Sequence, residues 1–191
     1  RRVRRGGWKE PSDQPPGLTG KRLGIAGVGH VGEGIGRRCE AGFAMTVGYF
    51  ARNAREQLAW QHFDDLRALA AWCDFLVVAL PGGAATHHAV DAQVLDALGP
   101  RGYLVNIGRG GLVDTAALVA ALREQRIAGA ALDVFEDEPH VPPELLSLDK
   151  VLLTPHLGGR SPDAEEAMAR LLAENIAAHF EGRALPTPIL D

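Results

Sequence analysis

The sequence has little cysteine, little net charge and no long apolar run. Cysteine occurs only at Cys39 and Cys73 in 191 residues. Two thiols cannot build a disulfide framework, and this usage fits a reducing compartment, so a cytoplasmic protein is expected. The net charge is −4, which gives no electrostatic case for nucleic acid or an anionic membrane as partner. The one basic run, Arg1, Arg2, Val3, Arg4 and Arg5, reads as a solvated terminal stretch rather than a nucleic-acid arm. The longest apolar run, residues 75–80, is far short of the ~20 residues a membrane span needs. There is no secretory signal pattern, because the first residues are charged and followed by Gly and Pro. No internal repeat or low-complexity tract is visible. The chain opens on arginine rather than methionine, which suits a fragment or a processed product.

What is present is the balance of a globular domain, 46% hydrophobic and 23% charged, in a length that suits one domain or one domain with appendages. Residues 1–17 are charged and then rich in Pro and Gly, and read as the end of one element followed by a linker. A regular alternation then begins. Strands are predicted over 23–26, 45–50, 75–80, 103–107, 129–134 and 151–153. Helices are predicted over 31–41 with a stop at Gly42, over 64–71, and over 89–98 with a stop at Gly99-Pro100. Two more are predicted over 115–125, capped by Asp114, and over 162–181, an amphipathic helix with Ser161 as N-cap and Pro162 in its first position. Short apolar strands alternating with helices predict an α/β fold whose parallel sheet is covered on both faces.

Gly27-Val28-Gly29-His30-Val31-Gly32 is a G-x-G-x-x-G turn. Alone the pattern is weak in a chain with 23 glycines. Here it follows the first strand and opens the first helix, where a dinucleotide site requires it. Gly27 permits the tight turn, Gly29 lets the backbone approach a pyrophosphate, and Gly32 lets the helix sit close on the strand. About twenty residues on, an acidic residue would select NAD. That region reads Gly48-Tyr49-Phe50-Ala51-Arg52-Asn53, with Arg55 close behind. A guanidinium pairs with a 2′-phosphate that a carboxylate would repel, so NADP(H) is preferred, with NAD(H) possible.

Five stretches carry a resemblance: GIAGVGHVG (24–32), YFAR (49–52), LVNIGRGGLVD (104–114), AGAALDVFEDEP (128–139) and LLTPHLGG (152–159). In this order they resemble the D-isomer-specific 2-hydroxyacid dehydrogenases, in particular the glyoxylate/hydroxypyruvate/hydroxyphenylpyruvate reductase branch. The resemblance implies a Rossmann-type, doubly wound parallel sheet. It divides the chain into a linker or substrate-lobe remnant (1–17), a dinucleotide-binding domain (18–160) and a C-terminal helix with a return segment (161–191). Roughly the first hundred residues of a full family member are expected to be absent. LPTPIL (185–190) is similar to the family's return to the substrate lobe.

The family's arginine, glutamate and histidine fall on Arg109, Glu138 and His156, each expected just after a strand. The chemistry suits these types. The planar fork of Arg109 matches the carboxylate and carbonyl oxygens of a 2-keto acid. His156, as imidazolium, donates the proton that the carbonyl oxygen requires, and Glu138 favours and orients that imidazolium. The implied cofactor contacts are Gly27, Gly29, His30, Val31 and Gly32 in the cradle, and Ala51, Arg52 and Asn53 at the ribose. Leu80, Pro81 and Thr86 are expected at the end of the third predicted strand, and Ile107, Gly108 and Arg109 beside the nicotinamide. Asp133 is placed at the carboxamide, with a buried structural Asp as the other reading. His156 and Gly158 complete the set. His156-Leu157-Gly158-Gly159-Arg160-Ser161 departs from the family's H-x-G-x-x-T, which leaves the substrate open.

Two ordinary readings compete with special ones. Glu136, Asp137 and Glu138 form a negatively charged loop before they form a metal cluster. His87-His88 is expected in a cofactor-side loop and helix start. Neighbours on a helix point about 100° apart, so no metal is expected there. The implied partners are a small 2-keto/2-hydroxy acid and, from the resemblance, a second copy of the chain as a homodimer. The other class considered is a dinucleotide-binding, corepressor-like regulator. It would need an extra segment or groove for a partner peptide, and no such segment is visible.

Overall fold

The computed structural model describes residue 6 and residues 16–188. The arginine cluster at 1–5, most of the 1–17 linker and the end of LPTPIL lie outside the described residues. The chain separates into two compact units, Arg1–Leu153 and Thr154–Asp191.

The first unit is built on seven parallel strands: β1 (Arg22–Ala26), β2 (Thr46–Phe50), β3 (Gln61–Phe63), β4 (Phe75–Val78), β5 (Tyr103–Asn106), β6 (Gly129–Leu132) and β7 (Val151–Leu153). Their order is β3-β2-β1-β4-β5-β6-β7. The chain winds outward from β1 to β3, then returns to β4 beside β1 and winds the other way. This is the doubly wound Rossmann order, with its switch point between β1 and β4.

Helices α1 (His30–Phe43), α2 (Leu66–Trp72), α3 (Ala92–Leu98), α4 (Thr115–Arg123) and α5 (Pro143–Leu146) belong to this unit. Two cores separate the faces of the sheet. On one, Leu76, Val78, Leu104 and Leu132 pack with Leu69, Leu95, Leu118 and Leu122 from α2, α3 and α4. On the other, Leu23, Ile25, Val47 and Val77 meet Ile35 and Cys39 of α1. Alternate residues along β1 to β5 serve opposite cores, as the pleat of a sheet buried on both sides demands. Truncating a fully buried leucine such as Leu104 (0% exposed) costs about 2–5 kcal/mol.

Several boundaries differ from the sequence expectation. The first helix runs through Gly42 and stops at Ala44, which takes the left-handed conformation at φ 51 and donates its N–H to the Cys39 carbonyl. The third predicted strand ends at Val78, so Leu80 and Pro81 are coil and Thr86 sits in a 3₁₀ turn at Ala84–Thr86. The helix expected from residue 89 begins at Ala92, because Asp91 caps it by accepting from Val94 N at 3.0 Å. His87 and His88 therefore do not start a helix, and the 100° splay does not apply to them. Their rings stack at 3.9 Å, and His88 Nε2 lies 3.0 Å from Glu136 Oε1. β3 and α5 were not anticipated.

The second unit, taken by itself, is a turn followed by α6 (Pro162–Phe180). Ser161 caps it as expected, accepting from Ala164 N at 3.1 Å, with Pro162 in the first turn. Met168, Leu172, Ile176 and Phe180 are exposed, and Ala178 is its buried residue. No helix among the described residues is long and apolar enough to cross a membrane.

Candidate functional site

The loops after the first strands converge on a groove of about 2130 Å³ in the first unit. Drug-sized ligands occupy ~300–1,000 Å³, so this groove has room for a larger, elongated molecule. It lies at the carboxyl ends of β1 and β4, the switch point where open α/β sheets bind ligands.

The glycine turn forms its floor, and each glycine has a distinct reason. Gly27 has φ 99, and a β-carbon there would lie 2.8 Å from the Ala79 carbonyl oxygen. At Gly32 a β-carbon would come within 2.0 Å of the Gly27 carbonyl oxygen, so only glycine lets α1 pack this close. Gly29 has nothing within 4 Å of the β-carbon position; its open side belongs to the groove. Gly29 is also the N-cap of α1 and supplies no side-chain cap. By contrast α2, α3, α4 and α6 are capped by Asp65, Asp91, Asp114 and Ser161. The first-turn N–H groups of α1 thus lack a side-chain acceptor at the positive end of the helix, as anion binding requires.

Ala51, Arg52, Asn53, Ala54 and Arg55 form one wall. Among the described residues neither Arg52 nor Arg55 has an ion-pair partner for its guanidinium. Asp64 and Asp65 line the groove as well, and Asp65 is committed to capping α2.

The opposite wall is the turn after β5. Asn106, 1% exposed, shapes it: its Oδ1 accepts from Gly108 N at 3.1 Å and its Nδ2 donates to the Arg109 carbonyl at 3.1 Å. Arg109 donates from Nη1 to the Gly108 carbonyl at 2.7 Å. Gly82 gives the arginine stem its space, since a β-carbon there would sit 2.8 Å from Arg109 Cγ. Thr86 Oγ1 donates to the Pro81 carbonyl at 2.7 Å, closing the loop after β4.

Of the residues expected at the cofactor, Gly27, Gly29, Val31, Ala51, Arg52, Asn53, Leu80, Pro81, Thr86, Ile107, Gly108 and Arg109 line this groove. Gly32 is buried beneath it, and His30 is exposed on the first turn of α1. Asp133 is buried just past β6. Glu138, in the loop beyond, is exposed and accepts from Phe135 N at 2.9 Å. His156 and Gly158 belong to the second unit, where His156 is exposed with φ 52. Asn106 and Gly82 were missed as supports. An Asn at a strand end with a glycine two residues on signals a side-chain-closed turn, whereas nothing in sequence marks Gly82. No group of three or more His, Cys, Asp or Glu among the described residues could hold a metal ion.

The groove, its glycine floor and the strand order define a dinucleotide-binding α/β domain. A sequence model of the NAD-binding domain of D-isomer specific 2-hydroxyacid dehydrogenases matches residues 1–158. The chain belongs to this family. It is 46% identical to glyoxylate/hydroxypyruvate reductase A of Arabidopsis thaliana, over 100% of this chain and 61% of the relative. It is 45% identical to 2-ketogluconate reductase of Gluconobacter oxydans (98% and 61%) and 43% identical to hydroxyphenylpyruvate reductase of Plectranthus scutellarioides (98% and 60%). Among solved structures, an NADPH-dependent glyoxylate/hydroxypyruvate reductase from Sinorhizobium meliloti, in complex with NADP and malonate, superposes with a TM-score of 0.89. It shares 44% identity, over 98% of this chain and 57% of that one. The chain spans about three-fifths of the length of the curated relatives it matches.

Proposed function

We propose that this chain is the cofactor-binding part of an oxidoreductase that interconverts small 2-keto and 2-hydroxy acids with a preference for NADP(H). The observation that carries the cofactor reading is the groove itself. An open glycine at an uncapped helix start faces one part of it, and among the described residues Arg52 and Arg55 on its wall have no ion-pair partner. Pyrophosphate suits the first and a 2′-phosphate the second. The solved relative in complex with NADP supports the same preference. The substrate class follows the relatives, whose names refer to glyoxylate, hydroxypyruvate, 2-ketogluconate and hydroxyphenylpyruvate.

In this reading the bound nicotinamide supplies the hydride. Arg109 binds the substrate carboxylate and carbonyl oxygen, and stays charged throughout. His156 gives its proton to the carbonyl oxygen as negative charge builds there. Glu138 is the carboxylate that the family pattern assigns to orienting that imidazole. Asp133 serves the carboxamide. Both cysteines are free, in keeping with a cytoplasmic home, and a homodimer is carried over from the family.

The first test is equilibrium titration of the chain with NADPH and NADH. Charge-assisted hydrogen bonds are worth about 1.5–3 kcal/mol, so NADPH should bind roughly ten- to a hundredfold tighter. Arg52→Ala should remove most of that margin and leave NADH binding unchanged. Equal affinities in the unaltered chain would sink the cofactor assignment.

A further inference from the structure

The arginine wall is pinned at both of its ends by two side chains that do not line the groove. β2 and β3 pair in register with Tyr49 opposite His62. The two rings lie 5.2 Å apart at 43°. From this pair, two hydrogen bonds reach into the loop that leaves β2. The Tyr49 hydroxyl accepts from the backbone N–H of Arg55 at 2.8 Å. His62 donates from Nε2 to the carbonyl of Ala51 at 2.9 Å, since a carbonyl oxygen can only accept. Ala51 and Arg55 bracket Arg52, Asn53 and Ala54, and all five residues line the groove.

Tyr49 is 1% exposed, so its ring is fixed by packing and its hydroxyl is a rigid anchor. Without these bonds the loop has few other ties. The Phe50 carbonyl, just before it, accepts from Gly27 N, and the Arg55 carbonyl accepts from Leu58 N. Two long cationic side chains on an unrestrained loop would have to be ordered when the ligand binds, at a cost to affinity. A loop held in one shape avoids that cost.

We infer that Tyr49 and His62 are positioning residues for cofactor selection: they clamp the 51–55 loop so that Arg52 and Arg55 are presented to the 2′-phosphate. The inference rests on the reading that this loop meets the phosphate. It adds that selectivity depends on a cross-strand pair which never touches the ligand. The pyrophosphate cradle is a separate segment, residues 27–32 after β1, and neither of the two hydrogen bonds reaches it, so the clamp acts on NADPH and leaves NADH binding nearly untouched.

The test is titration of the chain with NADPH and NADH in four forms: unaltered, Tyr49→Phe, His62→Leu and His62→Gln. Tyr49→Phe removes the acceptor while keeping the buried ring. His62→Leu removes the donor, and His62→Gln keeps an N–H at a similar reach. The net worth of one hydrogen bond corresponds to about three- to tenfold in affinity. Tyr49→Phe and His62→Leu should each weaken NADPH by that factor, change NADH less than twofold, and shrink the NADPH/NADH ratio. His62→Gln should retain most of the ratio. Equal weakening of both dinucleotides would mean general loosening of the fold and would overturn the clamp. So would an unchanged ratio in Tyr49→Phe and His62→Leu. If the unaltered chain shows no NADPH preference, the cofactor reading fails and the clamp falls with it, a result distinct from a preserved preference that ignores these substitutions.

Discussion

Cys73 lies directly beneath Gly24, where a β-carbon would come within 2.8 Å of its Sγ. Burial pushes this thiol up to about 12, with the neighbouring Asp74 carboxylate pushing the same way and backbone hydrogen bonds partly opposing it. A thiol ordinarily titrates near ~8.5. The folded chain therefore holds this proton more tightly than the unfolded chain does. The resulting contribution to stability is fully present below that ordinary value and is lost as pH rises toward 12. Cys39 is half-buried, and burial raises its thiol as well. At pH 8 under native conditions a thiol reagent should modify Cys39 slowly and Cys73 not at all. Two modified thiols should appear only on unfolding. Mass spectrometry after partial labelling checks this, and early labelling of Cys73 would contradict the packing. Legibility at this scale was uneven. Arg109 and the three cradle glycines stood out because their local motifs are short and contiguous. Asn106 was visible within the quoted NIGRG stretch but was not singled out. The Tyr49–His62 pair was illegible, because it depends on the register of an edge strand thirteen residues away, and register is a tertiary property.

At the scale of elements, the N-caps divide the helices by task. Asp65, Asp91, Asp114 and Ser161 satisfy their helices with their own side chains, and two of these four were named from sequence. α1 starts on Gly29 without a side-chain acceptor. Gly29 has φ −78 and open space around its β-carbon position, so Gly29→Ser is sterically and conformationally allowed. A serine there would cap α1 and add a few tenths of a kcal/mol to stability. It would also place a hydroxyl where the proposed pyrophosphate needs bare N–H groups. Tm should therefore hold or rise slightly while NADPH affinity falls by about tenfold or more. If both quantities fell together, the glycine would be serving the fold rather than the ligand. The parallel alternation was readable because β4 is an unbroken apolar run and its neighbours β1 and β5 are short, largely apolar stretches. β3 was missed because Gln61-His62-Phe63 is short and polar for a strand, and its place is set by pairing with β2. α5 was missed because a single turn after consecutive prolines has no periodicity to detect. The helix that outran Gly42 shows that a glycine permits a stop without requiring one. The αL cap fell on Ala44 instead, where the chain must turn into β2.

At the scale of the molecule, the groove draws on five segments of the chain: the cradle after β1, the loop after β2, residues 64–66 after β3, the loop after β4 and the turn after β5. All belong to the unit Arg1–Leu153. A ligand that ties these segments of one cooperative unit should stabilise that unit as a whole. At a free concentration of about 100 Kd the linkage amounts to ~2.7 kcal/mol. For a unit of this size, that corresponds to a rise in Tm of about 5–10 °C. Amide exchange then tells where the ligand acts. NADPH should slow exchange most at residues 27–32, 51–55, 80–86 and 107–112, because these amides open by local fluctuation in the free chain. The strands of the middle of the sheet exchange through global opening and should slow only by the common factor that the Tm shift implies. NADH should reproduce this pattern except at 51–55, where the missing phosphate leaves exchange at the level of the free chain. Protection at 51–55 that was equal for the two dinucleotides would remove the loop from phosphate recognition, while protection absent from 27–32 would remove the cradle from dinucleotide binding altogether.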